Sequence, residues 1–154
     1  MVSWAAFEAE APELAAEGRR LIYSRGDGEA LLATVRGDGL PRIHPVNVGI
    51  VGEGLFTFIL ASPKLRDLQE DRRFAFHTHQ DPAAPNEFMV RGRARHIEPG
   101  AARDAVAAAW YFSVDATYAL FELSLESALL GVRIGPDEWP PRYSSWKAQP
   151  GSGS

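Results

Sequence analysis

The residues from Arg42 to Leu68 constrain this chain more than any other stretch. They read Arg-Ile-His-Pro-Val-Asn-Val-Gly-Ile-Val, a Gly-Glu-Gly turn, Leu-Phe-Thr-Phe-Ile-Leu, and then Ala-Ser-Pro-Lys-Leu-Arg-Asp-Leu. Short runs of β-branched and aromatic residues around a glycine turn predict two strands. Ser62 fits the N-cap of a following helix and Pro63 its first position, where the missing N–H costs nothing. The free N–H groups of that first turn and the cation of Lys64 would face any phosphate placed there. Ser62-Pro63-Lys64 also reads as a plain helix start with a surface lysine. The preceding strands weigh toward a ligand, because they put the helix start at a sheet end.

The flanking sequence predicts a small mainly β fold with helices. Trp4–Glu10 reads as a helical turn, and Pro12 opens a helix to about Ser24 with Leu14, Gly18, Leu21 and Ile22 on one face. Ala30–Arg36 is a strand, and Gly37-Asp38-Gly39 a hairpin turn. Arg42–Val51 follows as one strand, with Ile43, Pro45 and Asn47 on one face and His44, Val46 and Val48 on the other. Proline removes a ladder donor, so position 45 belongs at a bulge or an unpaired edge, where a flat ligand could use the backbone groups left free. Leu55–Leu60, the helix Pro63–Glu70 and the strands Phe74–His79 and Glu87–Ile97 come next. A helix of about Ala101–Phe112 leads to two short strands, Leu120–Leu125 and Leu129–Ile134, joined by a turn near Glu126–Ser127. About seven strands at short spacing, mostly in hairpins, favour an α+β fold built on a six- to seven-stranded antiparallel β-barrel with helices plugging its ends.

A length of 154 residues, 45% hydrophobic and 23% charged, suits one soluble globular domain. Residues 1–148 form that domain, with a helical segment 1–28 packing on the barrel and a flexible tail at 149–154. A net charge of −4 argues against a nucleic-acid partner. The absence of cysteine excludes disulfides, thiol catalysis and thiolate metal sites. No apolar run approaches the roughly 18 residues that span a bilayer. The acidic start lacks a basic n-region, so the expected location is the cytoplasm.

Side chains offer little catalytic machinery. His44 beside Pro45 reads equally as a structural histidine and as a site residue. His77 and His79 share a strand face and would make half of a metal site, without a third ligand at useful spacing. His96 has no evident partner. Arg91, Arg93 and Arg95 line one face of a strand, where they either pair with acidic residues or bind an anion, pairing being the simpler reading. No Gly-x-Gly-x-x-Gly, phosphate-loop lysine or Gly-x-Ser-x-Gly motif is present, and no triad. That scarcity suggests that a cofactor does the chemistry.

Leu-Ala-Thr-Val-Arg, Gly-Asp-Gly-x-Pro-Arg-Ile-His-Pro-Val, Ser-Pro-Lys-x-Arg-Asp-Leu and Phe-Met-Val-Arg-Gly-Arg-Ala, in this order between Leu31 and Ile97, resemble the pyridoxamine 5′-phosphate oxidase-like split barrels. The resemblance implies a split β-barrel, a homodimer, and FMN at the subunit interface, serving an oxidoreductase acting on a small molecule. It implies that Arg42 reaches the phosphate, that Ile43, His44, Pro45, Val46 and Asn47 run beneath the flavin largely through backbone, and that Ile59 and Leu60 line it. Ser62 and Lys64 match the phosphate-binding Ser-x-Lys. Glu87 falls where the oxidase has a glutamine reaching the partner's flavin, and a carboxylate cannot donate as that amide does. The oxidase's terminal Arg-Leu-His-Asp-Arg-type segment is replaced by Trp-Pro-Pro-Arg-Tyr-Ser-Ser-Trp, so oxidation of pyridoxamine phosphate is not implied. Trp139, Arg142, Tyr143 and Trp146 become either pocket walls or packing at the barrel end. Related barrels hold a deazaflavin (F420) in the same clamp. A non-catalytic flavin or haem store is a third reading, with His44, His77 or His79 as haem ligand.

Overall fold

The computed structural model describes residues 1–151; the end of the expected tail, 152–154, lies outside the described residues. Among these residues two helices precede four strands, and two further helices interrupt the run of eight strands in all. Helix α1 (Trp4–Glu10) is capped by Ser3, whose hydroxyl accepts from Ala6 N at 3.2 Å. Only Ala11 separates it from α2 (Pro12–Ile22), which buries Leu14, Ala15, Gly18, Leu21 and Ile22. Gly18 lets this helix lie against the Phe88 ring, since a Cβ there would sit 2.4 Å from the ring tip.

The strands are β1 (Glu29–Val35), β2 (Pro41–Asn47), β3 (Gly49–Val51), β4 (Gly54–Leu60), β5 (Arg73–Thr78), β6 (Glu87–Ile97), β7 (Tyr118–Val132) and β8 (Arg142–Lys147). Helix α3 (Pro63–Glu70) follows β4, and α4 (Ala101–Ala108) precedes β7. All pairings are antiparallel, in the order β2-β1-β5-β6-β7-β4-β3, with β8 added to β7. The two outermost strands of that order, β2 and β3, are consecutive in the chain and meet at Val48. The sheet therefore curls until its edges adjoin, and the alternation of side chains divides barrel interior from exterior. One register row, Leu32, Phe76, Val90 and Ala128, belongs to the interior. The exterior row beside it reads Ile43, Ala33, Ala75, Arg91, Ser127 and Lys147. A second apolar cluster, Phe58, Val106 and Leu120 with Trp110 and Tyr118, fills the space beneath α4. Among the described residues no helix is long and apolar enough to cross a membrane.

Four expectations change. The strand count is eight, because the closing segment supplies β8. The single strand expected over Arg42–Val51 is interrupted at Val48, whose N–H leaves the ladder to donate to Gly28 O at 2.8 Å. Leu120–Leu125 and Leu129–Ile134 are one strand, β7. Register shifts between the pairs Arg91–Ser127 and Gly92–Leu125, so Glu126 is the extra residue of a bulge, not part of a turn. Gly92 is required there: a Cβ would lie 1.7 Å from Ser124 O. Helix α4 ends at Ala108 and not at Phe112, because Trp110 and Tyr111 are drawn off to Phe58 and to Val48 O, respectively.

Candidate functional site

Among the described residues strand β2 pairs only with β1, and β3 covers only Gly54–Phe56 of β4. Residues 57–60 of β4 therefore have no strand partner on the side facing β2, which leaves a seam. Its lower end is fastened: Thr57 Oγ1 donates to Asn47 O at 2.8 Å and Asn47 Nδ2 to Asp27 O at 2.8 Å. Tyr111 OH donates to Val48 O at 2.6 Å, and Tyr23 OH accepts from Ile50 N at 2.8 Å. Burial, then the nearby Tyr23 hydroxyl, pushes the Tyr111 phenol well above its ordinary value, so it stays a donor.

At the upper end α3 begins. Ser62 is extended (φ −170°), and its hydroxyl accepts from Leu65 N at 3.4 Å while donating to Leu60 O at 2.8 Å. The expected cap is therefore present, but that hydroxyl is already occupied. Asp67, 5% exposed, accepts from Thr34 Oγ1 at 2.7 Å and from Arg42 Nε at 2.8 Å, both through Oδ2. Burial works to raise its carboxyl, but the hydrogen bonds from Thr34 and Arg42 and the charges of Arg42 and Arg36 outweigh it and hold the group below its ordinary value.

Three groups here remain unspent. Arg42 uses only Nε, leaving its terminal nitrogens without a protein acceptor among the described residues. Lys64 is half-buried and makes no ion pair among them. His44 Nε2 is shut off from water and has no hydrogen-bond partner among the described residues. Burial, then the charges of Lys64 and Arg42, lowers the His44 imidazole from its ordinary value, with Asp67 opposing. Two cations and an imidazole around one carboxylate, whose Oδ2 is already shared, form a ground for an anion. Beside it a cavity of about 330 Å³ is lined by Arg36, Asp38, Arg42, Pro63, Arg66 and Glu70.

The structure brings Arg42, His44, Ser62 and Lys64 together, with Leu60 leading into them. It separates the others. Ile43 (65% exposed) and Pro45 project to the barrel exterior. Val46 packs on the core, and Ile59 is buried within it, so only its backbone can face the seam. Asn47 belongs to the fastened end. Glu87 lies on the exterior face, where its Oε2 accepts from Tyr143 OH at 2.7 Å. Trp146 packs the barrel end, donating to Glu10 Oε2 at 2.8 Å and meeting the Phe7 ring at a tilt of 53°, whereas Trp139 is 77% exposed beside Arg133.

The remaining histidines and arginines separate as well. His77 donates from Nδ1 to Thr78 O at 2.6 Å, and His79 lies beyond the end of β5. His96 has a partner after all, Glu98 Oε1 at 3.1 Å. Arg95 pairs with Glu122 at 2.9 Å and Arg91 donates to Ser127 at 3.3 Å, whereas Arg93 lies opposite Arg73. Among the described residues no cluster of three His, Asp or Glu could hold a metal ion. Asp67 and Thr34 were not foreseen. A signal for Asp67 existed: an aspartate shares the helix face of Lys64 and Leu68 at i+3 and i+4 spacing, and an acid on a buried face needs partners.

No family model matches the sequence, and no curated protein does. Solved structures do. A haem-binding protein from Mycobacterium smegmatis is 25% identical, with a TM-score of 0.62 over 86% of this chain and 57% of that one. This chain thus spans little more than half the length of that relative. The FMN-binding, pyridoxamine 5′-phosphate oxidase-related protein of Nostoc punctiforme is 16% identical, with a TM-score of 0.59 over 95% of this chain and 98% of that one. HutZ, the haem storage protein of Vibrio cholerae, is 16% identical, with a TM-score of 0.60 over 87% and 94%. The shared fold is that of the pyridoxamine 5′-phosphate oxidase-like split barrels, flavin-binding and haem-binding alike.

Proposed function

We propose, from a split-barrel fold shared with FMN-binding and haem-binding proteins, that this chain is a homodimeric FMN-dependent oxidoreductase. The observation that carries the reading is the set of unspent groups at the start of α3: Arg42, Lys64 and the orphaned His44 Nε2. These fit a phosphate. Arg42, aimed by Asp67, and Lys64 would hold it, and the exposed backbone of β2 and β4 along the seam would run beneath the ring. Bound FMN supplies redox chemistry that no side chain here can supply. A deazaflavin, whose phosphate meets the same clamp, is the nearest alternative.

The exterior face supports a second copy. Ile43, Leu31, Pro45, Ala33 and Ala75 adjoin in register as an exposed or half-exposed apolar surface on the side of the sheet that also carries Glu87. A partner seated there would bring its own Glu87 toward the seam.

His77 favours a haem store as the second reading: an Nδ1–H held by a carbonyl orients the ring and leaves Nε2 as a ligand. Absorbance and mass spectrometry of the chromophore that co-purifies decide between these readings. A flavin, with dimers in sedimentation and turnover with a nicotinamide donor, supports the oxidoreductase. A deazaflavin mass changes the cofactor. A haem spectrum abolished in His77→Ala replaces the reading.

A further inference from the structure

We infer that His44 is a side-chain ligand for the anionic group of the cofactor, and that its imidazole takes up a proton when that group binds. The inference rests on the FMN reading and deepens it. His44 and Arg42 share one face of β2, two residues apart, so both side chains point into the same end of the seam. The charged groups around the ring are few. Arg42 comes from its own strand, and Lys64 and Asp67 come from α3. Its register partner on β1 is the buried Leu32, and β4 (Gly54–Leu60) carries no titratable residue.

Asp67 opposes the two cations without cancelling them, and its Oδ2 is already shared by Thr34 and Arg42. Burial, then two cations against one carboxylate, disfavours the charged imidazole, and its buried Nε2 has no hydrogen-bond partner among the described residues. A phosphate dianion reverses the sign of the local charge, and the ring then gains from being protonated. The proton comes from solvent, and the imidazolium donates to a phosphate oxygen. No electron moves and no bond to phosphorus changes.

The experiment is calorimetric titration of FMN into the cofactor-free protein in two buffers of different protonation enthalpy. It is run from below to above neutral pH and repeated with His44→Gln and with riboflavin. Wild type should take up more protons with FMN than His44→Gln does. Its affinity should fall, relative to that variant, by up to about tenfold per pH unit above the free imidazole's lowered pKa. Riboflavin, which lacks the phosphate, should show no such uptake. Because His44→Gln could fold poorly, the His44 ring nitrogens of the wild-type protein are also followed by NMR. FMN should shift their titration to higher pH. Equal proton uptake in wild type and variant, or an unmoved ring titration on FMN binding, overturns the role of His44 and leaves the FMN site standing. No FMN binding at any pH overturns the site and His44 with it.

Discussion

The two ends of the β2–β4 seam are built from the same strands and treated oppositely. At Asn47–Ile50 the polar groups are tied: Asn47 holds Asp27 O and is held by Thr57, Val48 bonds Gly28 and Tyr111, and Ile50 bonds Tyr23. At Arg42–His44 the terminal nitrogens of Arg42 and the cation of Lys64 have no carboxylate of their own among the described residues, and the buried His44 Nε2 has no partner. Buried polar groups without partners are costly, and a chain retains them where something else completes the bonding. The tied end fixes where the seam begins, and the open end fixes what can enter it. Stability and binding should therefore separate by position along β2.

The largest effect should come from the tied end. Gly28 has φ +67°, and a Cβ there would lie 1.9 Å from Val48 O. Gly28→Ala should destabilise by about 3 kcal/mol or more in urea unfolding, through positive φ and overpacking together. A loss under about 1 kcal/mol would mean that the crossing at Val48 is pliable.

Next comes Lys64→Ala at the open end. It should weaken FMN binding by about 1.5–3 kcal/mol, the value of a charge-assisted contact, and leave unfolding within about 0.5 kcal/mol. An unchanged dissociation constant would remove Lys64 from the clamp.

Asp67→Asn tests the residue that aims Arg42. Its folded pKa is depressed, so its contribution is full above the ordinary carboxylate range and lost as pH falls through the folded value. Near neutral pH the variant should be less stable by about 1.5 kcal/mol, a charged hydrogen bond, and the gap should close on acidification. A gap constant with pH would show that the carboxylate's charge contributes nothing.

The smallest effect belongs to Tyr111→Phe. It leaves Val48 O short of a donor and should cost about 1 kcal/mol of stability, with FMN affinity unchanged in the folded protein. A matching loss of FMN affinity would join the two ends into one unit.

Much of the open end could be read from the chain because its signals are local. Ser62, Pro63 and Lys64 are neighbours, and the strands before them announce themselves by β-branched runs and glycine turns. Pro45 likewise falls on an edge strand, as its missing N–H requires. What escaped reading depends on contacts far apart in sequence. Asp67 meets Thr34 across 33 residues and Arg42 across 25. Tyr111 reaches Val48 across 63. Val48 is a strong strand former by composition, and the Gly28 carbonyl and the Tyr111 hydroxyl together draw it out of the ladder. Glu126-Ser127 looks like a turn because bulge and turn use similar residues, and Gly92 on the neighbouring strand decides between them.

The N-terminal edge of the fold carries a consequence for how the chain is made. Val2 exchanges both backbone bonds with Leu125, at 2.9 and 2.7 Å, and Glu10 waits for Trp146. These two contacts join residues more than 120 positions apart, although Ala5 already finds Glu53 O at 3.0 Å. Until they form, the apolar face of α1 and α2, with Trp4 and Phe7, lacks part of its cover. Contacts of such sequence separation are slow to form, so α1 and α2 gain their full cover late in folding.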